Sequence, residues 1–339
     1  MQAYRLTIRP QTAFGTPLVG DTWFGHICWG IAEQYGHDTL AACLCDYTAG
    51  RPFLIISDAF PAGYLPLPTL PSRYWQAGDE QDRKKLKKRQ WLPQDALDRP
   101  LHEWQQHAKT SADIAAKIVE ERQKKNPQQK KMKGEKNEKL VESHSQPHNS
   151  INRATGTTGE GGGFAPYDSE QTWYATDSRW QAYLLLDENR LSRAQLETVL
   201  NNIGASGYGR DASIGLGKYQ TDALEPEPAG LFARSGNACL TLAPCCPQGL
   251  GYDSAHSYYQ TVTRFGRHGN IQATAGNPYK SPILMAQTAA VISARPGQLY
   301  LGQGIGGISA SLPATVHQGY APIIAIEFDP TRLAPRRAP

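Results

Sequence analysis

The segment that most constrains the fold runs from Gly204 to Lys218 (GASGYGRDASIGLGK), where five glycines fall within fourteen residues between a helical pattern and a strand-like one. Glycines 207, 209, 215 and 217 free the backbone to adopt positive φ and to approach a partner closely. Successive N–H groups turned outward in such a loop form a nest that suits a phosphate. Arg210 and Lys218 add charge, and Ser213 adds a hydroxyl donor. The segment is not a mononucleotide P-loop, because Lys218 is followed by Tyr219 and the order is helix to strand, the reverse of that motif. The alternative reading is a tight connection with no ligand.

Periodicity places this loop within a repeated pattern. Residues 3–9 alternate as a half-buried strand, and residues 22–35 read as a helix whose stripe is Trp23, Phe24, Ile27, Cys28, Ile31 and Tyr35. Asp21 or Thr22 is the expected N-cap. Strands are expected at 53–57, 172–175, 180–186 and near 218–222, with a helix capped by Ser192 running to about Ile203. The order β-α-β…β-α-β predicts an α+β, ferredoxin-like fold over residues 1–225. The proline-rich run 225–230 marks a boundary. A second, degenerate ferredoxin-like half is expected over 231–339, with strands at 238–242 and 323–328.

Residues 79–148 interrupt the pattern as a basic insertion. They hold an amphipathic helix expected over 101–125, with Trp104, Ala108, Ala115 and Ile118 on one side, and end in a Lys/Gln/Asn/His stretch expected to be disordered. The stretch 83–139 carries 17 Lys/Arg against 8 Asp/Glu, a local +9; against a whole-chain +4 this leaves −5 elsewhere. Any anion bound by the folded part must therefore be held by placed groups rather than bulk charge. The insertion either touches phosphates without sequence preference or is simply solvated.

Three further segments and two single residues carry chemistry. Asn152 and Arg153, in a Thr/Gly-rich run, offer an amide and a guanidinium suited to phosphate or base edges. Gly304 and Gly306 lie in YLGQGIGGIS, whose GxGxxG spacing is a weak dinucleotide match without a βαβ unit around it. Arg264, Arg267 and Lys280 stand among Phe265 and Tyr279, a combination that suits nucleic acid. His26, opposite the apolar stripe, is either a structural residue or a general base for RNA cleavage. Trp29 on the same outer face is a candidate partner contact. None of the six cysteines forms a C-x-x-C pair, so no metal site and no cofactor are expected and the thiols are read as reduced. No signal peptide and no membrane-spanning run is read, and a cytoplasmic protein is expected.

Three segments in order, FGTPLVGDTWFGHICW at 14–29, INRATGT at 151–157 and GYGRDASIGLGKY at 207–219, resemble motifs of the RAMP-superfamily fourth subunit of type III-A CRISPR (Csm) effector complexes. The likeness covers most of the chain except about 79–148 and is looser after 231. It implies two RAMP folds and a non-catalytic subunit holding the 5′ handle of the guide RNA (crRNA). It also implies contacts to the large polymerase/cyclase-like subunit and to the backbone RAMP subunit. By position, 207–218 would be the glycine-rich loop near the guide and 152–165 a thumb-like element. The alternatives are a metal-independent RAMP endoribonuclease with His26 as base, and an interaction module built on Trp29 and the insertion.

Overall fold

The computed structural model describes residues 1–76, 83–125, 138–159, 164–227, 230–269, 277–294, 297 and 299–333. In chain order the first part runs β1 (Gln2–Pro10), α1 (Gly20–Tyr35), α2 (His37–Leu44), β2 (Leu54–Ile56), β3 (Phe60–Pro61) and β4 (Tyr64–Pro66). The inserted segment adds α3 (Arg83–Leu86), β5 (Trp91–Pro93), α4 (Trp104–His107) and α5 (Ser111–Lys125). Then come β6 (Val141–His148), β7 (Tyr167–Tyr174), β8 (Trp180–Leu186), α6 (Arg193–Ser206), β9 (Tyr219–Thr221) and β10 (Glu225–Pro226). The last part holds β11 (Ala238–Thr241), β12 (Asp253–Tyr258), β13 (Thr261–Arg264), β14 (Ile283–Ala286), β15 (Val291–Ser293), β16 (Tyr300–Ile305) and β17 (His317–Ile326).

The first sheet has the antiparallel order β10–β1–β8–β2, with β9 also on β1 and β3 also on β8. Alternation in β1 buries Tyr4, Leu6 and Ile8 against Trp23, Phe24, Ile27 and Ile31 of α1 and Leu196, Val199 and Leu200 of α6. Ser192 caps α6 as expected, forming a reciprocal capping box with Gln195. The cap expected at Asp21 or Thr22 is not formed: Val19 occupies the N-cap, and Asp21 lies inside the first turn with other partners. Residues 225–226 pair with β1 as the last short strand of the first sheet.

The inserted segment is more ordered than its composition predicts. The helix expected over 101–125 breaks at 108–110, where Lys109 bridges to Trp91 through two backbone hydrogen bonds of 2.7 and 3.1 Å. Thr110 then restarts it: its N–H donates to the Asp113 carboxylate (2.8 Å) while its hydroxyl accepts the Asp113 N–H (3.1 Å). Trp104, Ala108, Ile114, Ala115 and Val119 are buried, so α4 and α5 are packed on the domain. Residues 141–148, expected to be disordered, form β6 and pair with all of β7. The Lys-rich run 126–137 lies outside the described residues.

The second sheet is antiparallel, in the order β12–β15–β11–β17–β16, with β13–β14 as a separate two-stranded ribbon. Among the described residues after 230 there is no α-helix. The halves are joined through Gln318, which is fully buried. Its side-chain carbonyl accepts the Ile56 N–H (2.9 Å) and its amide donates to the Ile56 carbonyl (2.8 Å), closing the edge of β2 as a neighbouring strand would. Among the described residues no helix is long and apolar enough to cross a membrane.

Candidate nucleic-acid interface

Helix α1 is the spine of the site, with the glycine loop on one side and the ribbon β13–β14 on the other. The loop is pinned by Tyr208, whose fully buried ring lies 4.8 Å from Trp23 and 5.1 Å from His26. The Tyr208 hydroxyl donates to the Pro17 carbonyl (2.9 Å) and accepts the Val19 N–H (3.1 Å). The Gly209 N–H donates to His26 Nε2 (2.9 Å), and the Arg210 N–H to the Thr16 hydroxyl (3.0 Å). Burial depresses the His26 imidazole to about 4, so near neutral pH it is uncharged and Nε2 is the accepting nitrogen.

The glycines therefore serve a different purpose from an outward nest. Gly207 and Gly217 are buried and let the two arms of the loop close on each other: Tyr208 N–H donates to the Gly217 carbonyl (3.0 Å) and Gly217 N–H to the Ala13 carbonyl (2.7 Å). A Cβ on Gly217 would strike the Tyr208 carbonyl, and one on Gly207 the Leu216 carbonyl. Gly209 and Gly215 also sit at positive φ (79° and 99°), and only around Gly215 is the space open. What the loop offers to solvent is its tip, with Ser213 exposed, and the Lys218 side chain. Arg210, half exposed, donates to the Glu170 carbonyl of β7 (2.6 Å) and so ties the loop to the β6–β7 ribbon.

That ribbon stands on the domain at Phe14, whose backbone bridges to Thr172, with Tyr174 edge-on at 5.2 Å. At its far end Asn152 bridges to Thr157 and turns its side-chain oxygen to the Ala154 N–H (2.9 Å). Asn152 thus shapes the turn, while Arg153 is exposed with no ion pair among the described residues.

On the other side of α1, the buried Asp21 carboxylate meets Arg264 Nε of β13 at 2.8 Å and His317 of β17 at 3.6 Å. Burial lowers the Lys280 ammonium, and the nearby Asp21 carboxylate partly opposes that shift. Asp58, pushed up to about 6 by burial, accepts the Gly20 N–H (2.8 Å) and the Thr288 hydroxyl. These contacts join the halves. Arg264, expected to extend a phosphate track, is committed to this cluster, whereas Lys280, expected to do the same, is half-buried near it. Gly304 is also turned inward, since a Cβ there would lie 2.6 Å from the Tyr47 ring and carbonyl, whereas Gly306 is exposed. GQGIGG belongs to β16 and its end and is followed by no helix, so it is no dinucleotide loop. Trp29 is half-buried beside Gly269.

One feature went unread in the sequence: no Asp or Glu occurs between Asp253 and Glu327. Its basic groups include Arg264, Arg267 and Lys280, so the ribbon face of the second half has no carboxylate of its own.

No family's sequence model matches the chain, and no curated protein does. Its fold has solved counterparts. A chain of a Csm3–Csm4 subcomplex in the type III-A CRISPR-Cas interference complex aligns at TM-score 0.58 and 15% identity, over 96% of this chain and 100% of that one. A chain of a Csm1–Csm4 cassette in complex with pppApA aligns at 0.54 and 14%, over 96% and 99%. Csm4 is the subunit these assemblies share, and the chain has the Csm4 fold over nearly its whole length.

Proposed function

We propose that this chain is a non-catalytic, guide-RNA-holding subunit of a type III CRISPR effector complex. In this reading it holds the repeat-derived 5′ handle and joins the large polymerase/cyclase-like subunit to the backbone RAMP subunit. The observation that carries the reading is the end-to-end fold likeness to chains of Csm1–Csm4 and Csm3–Csm4 assemblies. The strand order β9–β1–β8–β2 with α1 and α6 supports a ferredoxin-like first domain, and the second sheet is read as its degenerate counterpart.

Lys218, Ser213 and Arg153 are the groups left free to meet phosphates, on the loop tip and at the end of the ribbon. Such contacts fix the path of the RNA backbone and carry no sequence information. The nuclease alternative is disfavoured by His26, whose accepting nitrogen is already occupied by the Gly209 N–H. The test is co-expression with a large subunit, a backbone subunit and a repeat-spacer transcript. Recovery of one assembly carrying guide RNA supports the proposal; recovery of the other subunits and guide without this chain refutes it.

A further inference from the structure

The ribbon β13–β14 continues past its named strands. The Lys280 N–H donates to the Gly266 carbonyl (2.9 Å), Arg267 bridges to Tyr279, and the His268 N–H donates to the Pro278 carbonyl (2.8 Å). Along residues 261–268 side chains alternate between the two faces. The inward row is Val262, Arg264 and His268, the last buried and bonded to Ser309 at 2.8 Å. The outward row carries Phe265 and Arg267, and on the facing arm Tyr279 and Leu284. Phe265 is 78% exposed, Tyr279 65% and Leu284 58%. The Arg267 guanidinium lies 5.7 Å from the Tyr279 ring centre.

A β-face presenting two aromatic rings, a leucine and an arginine to water calls for an occupant. The carboxylate-free stretch 254–326 that contains it selects for an anion-bearing one. Aromatic rings standing on a β-surface beside a guanidinium suit unstacked bases, because every base has a π-face and its phosphate needs a cation. We propose that Phe265 and Tyr279 form a stacking platform for unpaired bases of single-stranded RNA, with Arg267 fixing the Tyr279 ring and meeting the adjoining phosphate. This rests on the RNA-binding reading above and adds a base-contacting surface distinct from the phosphate-facing loop tip.

The full-length chain is titrated at low salt with single-stranded RNA carrying 2-aminopurine, and with the same strand made abasic at the probe and its neighbours. The platform predicts that Phe265→Ala/Tyr279→Ala weakens the base-bearing strand about tenfold or more. It also predicts loss of the fluorescence quench on binding, little change for the abasic strand, and recovery in Phe265→Trp/Tyr279→Trp. Unchanged affinity and quench in the alanine variant, with wild type binding RNA, would overturn the platform and leave the RNA reading intact. An equal loss on both strands would also overturn it. Full RNA affinity in the alanine variant, with loss of a partner subunit instead, would reassign the face to protein. No binding of either strand by wild type would remove both proposals.

Discussion

His26 Nε2 accepts the Gly209 N–H at 2.9 Å, fastening the outer face of α1 to the glycine loop. A residue that reads as a candidate general base thus acts as a latch. His26→Ala leaves a partly buried N–H without its partner and is expected to cost about 1–3 kcal/mol. His26→Gln, which can supply an acceptor, should recover part of that. Chemical denaturation of the three proteins checks this. Incubation of wild type with repeat RNA in chelator is expected to leave the strand intact.

The pH response separates two opposed groups. His26 is depressed to about 4 by burial, so the unfolded chain binds its proton first. Stability from the neutral ring is present above about 6.5 and is lost as pH falls toward 4. His268 and His317, also lowered by burial, act in the same direction. Asp58 is raised to about 6, so its contribution grows as pH falls through 6 toward the ordinary carboxylate range. Relative to wild type, Asp58→Asn is expected to become less stable between pH 7 and 5, and His26→Gln more stable. Melting curves at the two pH values check both signs.

The joint between the halves is tested at Asp21. Replacing it by alanine leaves Arg264 without its buried counter-charge, at an expected cost of about 3–5 kcal/mol. Arg264→Ala should also destabilise, and a drop in RNA affinity in that variant is expected to track its lost stability. Melting and binding measured on the same samples decide this.

The glycines are expected to sort by what they face. Gly217→Ala meets the Tyr208 carbonyl at a positive φ of 73° and should cost at least about 2 kcal/mol. Gly304→Ala meets Tyr47 and should behave likewise. Gly215→Ala, with open space around it, should cost only about 1 kcal/mol, the strain of its φ of 99°. Denaturant midpoints rank the three.

Elements with one buried face were legible in the sequence. β1, α1 and α6 each alternate or repeat against the first core, β8 is a nearly continuous apolar run buried on both faces, and the expected positions of all four agree with the structure to within a few residues. β6 was not legible because VESHSQPH has no apolar period: its ribbon is largely solvated, and its register comes from pairing with β7. The break before α5 depends on Lys109 pairing with Trp91, a tertiary contact that helical periodicity does not record. Glycine spacing located the loop but not the direction of its N–H groups, which turn inward because Thr12, Ala13, Thr16 and His26 are there to receive them. The absence of carboxylates from 254 to 326 is legible in the sequence, but the strong local charge of the basic insertion masks it in the chain's overall balance.

The most direct test of the central claim is binding of labelled repeat-derived 5′-handle RNA across a salt series, for wild type and Arg153→Ala/Lys218→Ala. The account predicts intact RNA and an affinity that falls steeply with salt. It also predicts a weaker variant whose log–log salt slope is shallower by about 1.4, two phosphate contacts at ~0.7 each. Salt-insensitive or absent binding by wild type, an unchanged slope in the variant, or cleavage without metal would contradict it.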